Sequence, residues 1–96
     1  PDTVNTPELG LNMDEGDHYR LMDELIAKAD FPDAKINKLD GLRVDFDNGF
    51  GLVRASNTTP KLVLRFEADN ATNLETIMQR FRDLISSTRP DLEIPF

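Results

Sequence analysis

Arg54-Ala55-Ser56-Asn57-Thr58-Thr59-Pro60 is the stretch whose residue types could do chemistry, and that chemistry is the binding of an anion. Residues 48–66 contain no Asp or Glu yet hold Arg54, Lys61 and Arg65, in a chain with 18 acidic residues against 11 basic ones and a net charge of −7. A guanidinium can grip two oxygens at once through parallel N–H donors. The side chains of Ser56, Asn57 and Thr58 can each donate a further hydrogen bond, and a turn leaves backbone N–H groups free to face a ligand. Phosphate suits that inventory. The same residues also make an ordinary hairpin loop, because Ser, Asn, Thr and Pro are all turn formers. The local sequence leaves both readings open.

Other candidates are weaker. His18 is the single histidine and stands in the first turn of a polar helix start, where a solvated residue is expected rather than a ligand or base. Asp14, Glu15 and Asp17 open like a calcium loop but lack its ordered ligand spacing and closing Glu, so a charged helix start is the better reading. Gly49-Phe50-Gly51 begins like a dinucleotide fingerprint, but Arg54 replaces the third glycine and no helix follows. No nucleophile can be placed beside a base and no catalytic carboxylate pair stands out. The chain is expected to carry no catalytic residue and no metal ligand of its own.

The elements that must position the loop are read from periodicity. Residues 1–7 are polar with two prolines and read as an interdomain linker or hinge, and a start at Pro1 rather than Met reads as an excised piece. Leu9, Leu11 and Met13 alternate with polar positions over residues 8–13, the pattern of a strand buried on one side. A helix over residues 17–29 carries Leu21, Met22, Leu25, Ile26 and Ala29 on one stripe, with a Glu24–Lys28 pair facing water. A weak edge strand at residues 34–39 follows. The Asp40-Gly41 hairpin leads to a clear strand with Leu42, Val44 and Phe46 on one face. Strands at residues 49–55 and 61–68 flank the polar loop. Thr72 three residues before Glu75 has the spacing of a capping box, opening a helix whose stripe is Leu74, Ile77, Met78, Phe81, Leu84 and Ile85, and Arg89-Pro90 stops it. The expected fold is α+β: an antiparallel meander in the order β-α-β-β-β-β-α, with both helices on one face.

Composition bounds the rest. Ninety-six residues make one domain. An acidic chain with no Trp and one Tyr is a poor partner for nucleic acid, which asks for a basic stripe and stacking aromatics. No apolar run reaches the roughly 18 residues that span a bilayer, and absent cysteines remove disulfides and thiol chemistry. The chain reads as cytoplasmic, with no membrane partner, and its two apolar stripes lead us to expect that it folds alone.

Three segments, residues 40–46 (Asp-Gly-Leu-Arg-Val-Asp-Phe), 49–60 and 62–68 (Leu-Val-Leu-Arg-Phe-Glu-Ala), closely resemble the C-terminal domain of the bacterial phosphomannomutase/phosphoglucomutase family, in the α-D-phosphohexomutase superfamily. The resemblance runs from Thr6-Pro7-Glu8 to Pro95-Phe96, in pattern only over residues 14–37 and 70–93. It implies the fourth domain of a larger enzyme, with a TATA-binding-protein-like fold. It carries Arg54, Ser56, Asn57 and Thr58 over as contacts to the phosphate of the substrate, with Thr59 and Arg65 as secondary support. By the same resemblance the parent enzyme interconverts hexose 1-phosphates and 6-phosphates through a phosphoserine and a hexose bisphosphate. Its magnesium and its serine belong to upstream domains, and this domain clamps the phosphate and helps close the active site. The piece alone would then be inactive. Two other classes stay open: a stand-alone regulatory module binding a small anionic metabolite, and a structural domain whose polar loop is only a turn.

Overall fold

Strand alternation decides which face of the sheet is covered. In a computed structural model of the chain, residues 2–96 are described; they form β1 (Val4–Asn5), β2 (Leu9–Asn12), α1 (Asp17–Lys28), β3 (Lys35–Asn37), β4 (Leu42–Phe46), β5 (Gly49–Ala55), β6 (Lys61–Ala68) and α2 (Ala71–Thr88). Every pairing is antiparallel, in the order β1-β6-β5-β4-β3, with β2 on the same edge of β6 as β1. This is the expected α+β meander with two helices, plus one strand, β1, inside the segment read as a linker. Pro1, the first residue of that segment, lies outside the described residues.

One side of the sheet presents Leu11, Leu42, Val44, Val53, Leu62, Leu64 and Phe66, all buried beneath the helices. Leu21 and Leu25 of α1 and Ile77, Phe81 and Ile85 of α2 meet them. Each such side chain taken out of water contributes roughly 1.5–3 kcal/mol. The Phe81 ring is central: it stands edge-on to Phe66 at 5.2 Å and stacks on Phe31 at 5.7 Å. Gly51 makes room for it, since a methyl group there would lie 2.6 Å from Phe81 Cζ.

The opposite side carries Arg43, Asp45, Phe50, Leu52, Arg54, Val63, Arg65 and Glu67, and among the described residues no helix lies over it. Along the β6 edge, three residues, Thr6, Pro7 and Glu8, oppose only Phe66 and Arg65, because Asn5 pairs with Glu67 and Leu9 with Leu64. This is a bulge. Val4 and Leu9 are an odd number of residues apart and in a regular strand would face opposite ways; the extra residue lets both sit on the helix side. Thr6 ties the bulge down, its N–H donating to Phe66 O at 3.0 Å while its Oγ1 accepts from Phe66 N at 3.2 Å.

Two local expectations are corrected, the capping box of α2 and the Glu24–Lys28 pair of α1. The α2 N-cap is Asn70, whose side chain accepts from Asn73 N at 2.8 Å, and Glu75 pairs with Arg82 instead of closing a capping box with Thr72. The α1 N-cap is Gly16 in the left-handed conformation at φ 83, without a side-chain cap, which leaves Asp17 to bind Arg89. Glu24 also turns to Arg89, at 2.8 Å, and not to Lys28. Arg89 holds two points of α1 because a planar guanidinium reaches two carboxylates at once.

Candidate functional site

β5 and β6 place the polar loop at one end of the open sheet face. Its shape is set from within. Ser56 N donates to Lys61 O at 2.9 Å and closes the hairpin, and Ser56 Oγ accepts from both Thr58 N and Thr59 N at 3.3 Å. The two hydroxyls of Ser56 and Thr58 also lie 3.3 Å apart. The backbone donors expected to be free are thus partly occupied, but by long bonds, which an anion could replace. Met13 N donates to Pro60 O at 2.9 Å, so the chain entering α1 braces the far side of the loop.

Arg54 points from β5 onto the open face and is exposed. Gly41 presses on its backbone: at φ 85 it adopts a conformation suited to glycine, and a methyl there would lie 2.8 Å from Arg54 Cβ. Arg54 is opposite Val63, and Arg65 opposite Leu52, so the two arginines are diagonal neighbours on adjacent strands. Arg54, Ser56, Asn57, Thr58, Thr59 and Lys61 line one cleft of about 320 Å³ with Glu8 and Val63; Arg54 and Arg65 line an adjoining one of about 250 Å³ with Glu8, Asp40, Leu52 and Val63. The structure therefore gathers Arg54, Ser56, Asn57, Thr58 and Thr59 into one cleft, and places Arg65 in its neighbour.

Ion pairing singles out the two arginines. Of the chain's seven, five are held by carboxylates: Arg20, Arg43, Arg80, Arg82 and Arg89. Asp45 raises the Arg43 guanidinium above its ordinary value by hydrogen bonding, and Asp33 does the same for Arg80. Arg54 and Arg65 have no such partner among the described residues. In a chain with 18 acidic residues, two unpaired guanidiniums side by side form an anion-ready surface.

His18 corrects the sequence reading. It is 2 % exposed, on the buried side of the first turn of α1 with its ring 4.0 Å from that of Tyr19, and Nδ1 has no hydrogen-bond partner among the described residues. It faces the core and not the cleft. Sequence reasoning also missed Glu8, Asp40, Leu52 and Val63 as cleft residues. Alternation puts Glu8 opposite Leu9 in facing, but only the pairing of β2 with β6 brings it beside Arg65. Among the described residues no three His, Asp or Glu side chains gather as a metal-ligand set.

A sequence profile described as the phosphoglucomutase/phosphomannomutase C-terminal domain matches residues 12–84, a span that contains the whole loop and both helical stripes up to Leu84. The chain belongs to this family. A phosphomannomutase/phosphoglucomutase from Pseudomonas putida is 44% identical over 96 residues, covering 100% of this chain and 21% of its own length. A phosphoglucomutase from Neisseria gonorrhoeae is 52% identical over 89 residues, 91% of this chain and 19% of its own length. The crystal structure of a phosphoglucomutase/phosphomannomutase family protein from Burkholderia thailandensis superposes on the whole chain with a TM-score of 0.88 at 43% identity, over 20% of that protein. This phosphoglucomutase/phosphomannomutase C-terminal domain thus spans about a fifth of the relatives it matches. Among the described residues no helix is long and apolar enough to cross a membrane.

Proposed function

We propose that this domain binds the phosphate group of a hexose phosphate at Arg54, Ser56, Asn57 and Thr58, with Thr59 and Arg65 in support. It does so as the last domain of a phosphomannomutase/phosphoglucomutase of the cytoplasm. The observation that carries the reading is the unpaired Arg54 guanidinium beside a loop of hydroxyl and amide donors, in a family whose named members are sugar-phosphate mutases. Arg54 supplies charge and a planar pair of donors, the loop hydroxyls supply neutral hydrogen bonds, and the loosely held N–H groups of Thr58 and Thr59 can turn outward.

The domain's contribution to turnover is positioning. Holding the non-reacting phosphate presents the opposite hydroxyl to a phosphoserine contributed by another part of the enzyme, and converts an encounter into an oriented reaction. The bisphosphate intermediate can then reverse, its second phosphate taking the same loop. Magnesium belongs with the phosphoserine, and no step on this chain depends on it. Segment 1–7 acts as the hinge on which the domain swings to close the site, and within it residues 4–6 are hydrogen-bonded to β6 and move with the domain.

The test is Arg54→Ala in the full-length enzyme that carries this chain. Removing a charged hydrogen-bonding group of about 1.5–3 kcal/mol is expected to lower kcat/KM for glucose 1-phosphate by about tenfold to a hundredfold. A change within about twofold, less than roughly 0.4 kcal/mol, would remove the loop from the phosphate site.

A further inference from the structure

Lys61 lines the loop cleft with Arg54, yet the resemblance gives it no role and no carboxylate holds it among the described residues. Strand alternation fixes its facing. Leu62, Leu64 and Phe66 are buried under the helices, so Lys61, Val63 and Arg65 belong to the open side. Val63, 7 % exposed, thus has Lys61 and Arg65 as its neighbours along β6, Arg54 opposite on β5 and Gly10 opposite on β2. A methyl group on Gly10 would meet Lys61 Cδ at 3.7 Å, so the half-buried lysine stem lies across β2 where no side chain stands in its way. Three cations surround one apolar residue, and Glu8 is the single carboxylate that lines the loop cleft.

We propose that Lys61 is a further binding residue for the phosphate group, its ammonium taking the oxygen that the Arg54 fork leaves unmatched. This assignment rests on the phosphate reading of the loop. A phosphate monoester carries a charge of about −1.5 to −2 at pH 7 and offers three acceptor oxygens. Arg54 grips two of them in one plane. Its single positive charge is cancelled by Glu8 in the same cleft, so without Lys61 the cleft would offer a dianion no net attraction. Lys61 makes the cleft cationic, and Arg65 in the adjoining one adds to it. The two cations also divide the work. A planar guanidinium sets the orientation of the phosphate, whereas an ammonium on a flexible stem has three rotatable donors and can follow the group as the sugar attached to it changes ends.

The test uses the full-length enzyme that carries this chain, with glucose 1-phosphate as the probe. Lys61→Met keeps most of the stem and removes the charge. It is expected to raise KM about tenfold, the loss of one charged hydrogen bond. It should leave kcat within about twofold, because the phosphate it holds is the one that does not react. Lys61→Arg is expected to bring KM back to within about threefold of wild type, since it restores the charge. Unfolding temperatures are expected to be the same for wild type and both variants. A KM within about twofold of wild type in Lys61→Met, alongside the expected loss in Arg54→Ala, overturns the role of Lys61 and leaves the loop standing. A Lys61→Met loss that Lys61→Arg does not relieve, that falls on kcat alone, or that comes with a lowered unfolding temperature makes Lys61 a support of the hairpin and also overturns it. No loss in either Lys61→Met or Arg54→Ala overturns the loop and the lysine together.

Discussion

Arg54 and Arg43 differ by one contact that decides their roles. Arg43 is closed down by Asp45 through Nε and Nη2 bonds of 3.0–3.2 Å and lies 4.1 Å over the Phe50 ring, so its charge is spent within the fold. Arg54, on the neighbouring strand, forms no ion pair among the described residues. The phosphate reading predicts an order of sensitivity: Arg54→Lys restores only part of what Arg54→Ala loses, because an ammonium lacks the planar fork, and Ser56→Ala or Thr58→Val costs less than Arg54→Ala, since neutral hydrogen bonds contribute about 0.5–1.5 kcal/mol. Comparing kcat/KM for glucose 1-phosphate across the four variants checks it, and a Ser56→Ala loss equal to that of Arg54→Ala would reverse the order. The cationic stretch at residues 48–66 was legible because charge is written in the sequence. Pairing is not, since the carboxylates that silence Arg80 and Arg89 come from 47 to 72 positions away. His18 had a usable signal: 18, 21, 22 and 25 share helical spacing with Leu21, Met22 and Leu25, which extends the buried stripe back by one turn. Its polar neighbours hid that spacing.

At the scale of elements, the meander followed from turn residues and alternation. Asp40-Gly41 and Asp47-Asn48-Gly49 both turn the chain where expected, and β4, β5 and β6 keep a regular register over their lengths. β1 was illegible for a physical reason: two residues cannot display a period, and their strand character comes wholly from the β6 edge they join. The N-terminus of α2 was misjudged because Asn70 and Thr72 are both good caps, and the backbone chose the earlier one. Gly51 on β5 leaves room for the Phe81 ring of α2 because it has no side chain. Gly51→Ala would put a methyl into the Phe81 ring, and neither the sheet nor a helix with Phe81 fully buried can retreat freely. Overpacking of this kind costs about 1–3 kcal/mol. Thermal unfolding is expected to show a melting temperature lower by roughly 4–8 °C per kcal/mol for a domain of this size, and an unchanged value would mean the helix floats on the sheet.

For the whole molecule, carboxylate–guanidinium pairs stitch distant parts together: Arg89 joins the end of α2 to α1, and Arg80 joins α2 to Asp33. Hydrogen bonding from Arg89 holds the Asp17 carboxyl below its ordinary value, and Arg80 and Arg82 do the same for Asp33 and Glu75. A carboxyl depressed by folding stabilises the native state above its unfolded value of about 4 and loses that contribution as pH falls through the lower folded value. Urea midpoints are therefore expected to fall as pH drops below about 4, and the acid slope should be smaller in Arg89→Leu, where Asp17 has lost its main partner. An identical slope in that variant would remove the clasp from the acid response. The same distribution of charge governs how a ligand arrives. At an ionic strength of about 0.01 M the screening length is near 30 Å, comparable with the 41 Å long axis, so an approaching phosphate feels the entire charge of −7 and is turned away. At about 0.15 M the length shrinks to about 8 Å, the distant carboxylates fade, and Arg54, Lys61 and Arg65 outnumber the nearby Glu8 and Asp40. For the isolated domain, added salt is thus expected to speed the capture of an anion, the reverse of ordinary electrostatic steering. Association rates from NMR line shapes at the two ionic strengths would show it, and a rate that falls with salt would mean the local cations already outweigh the rest of the surface.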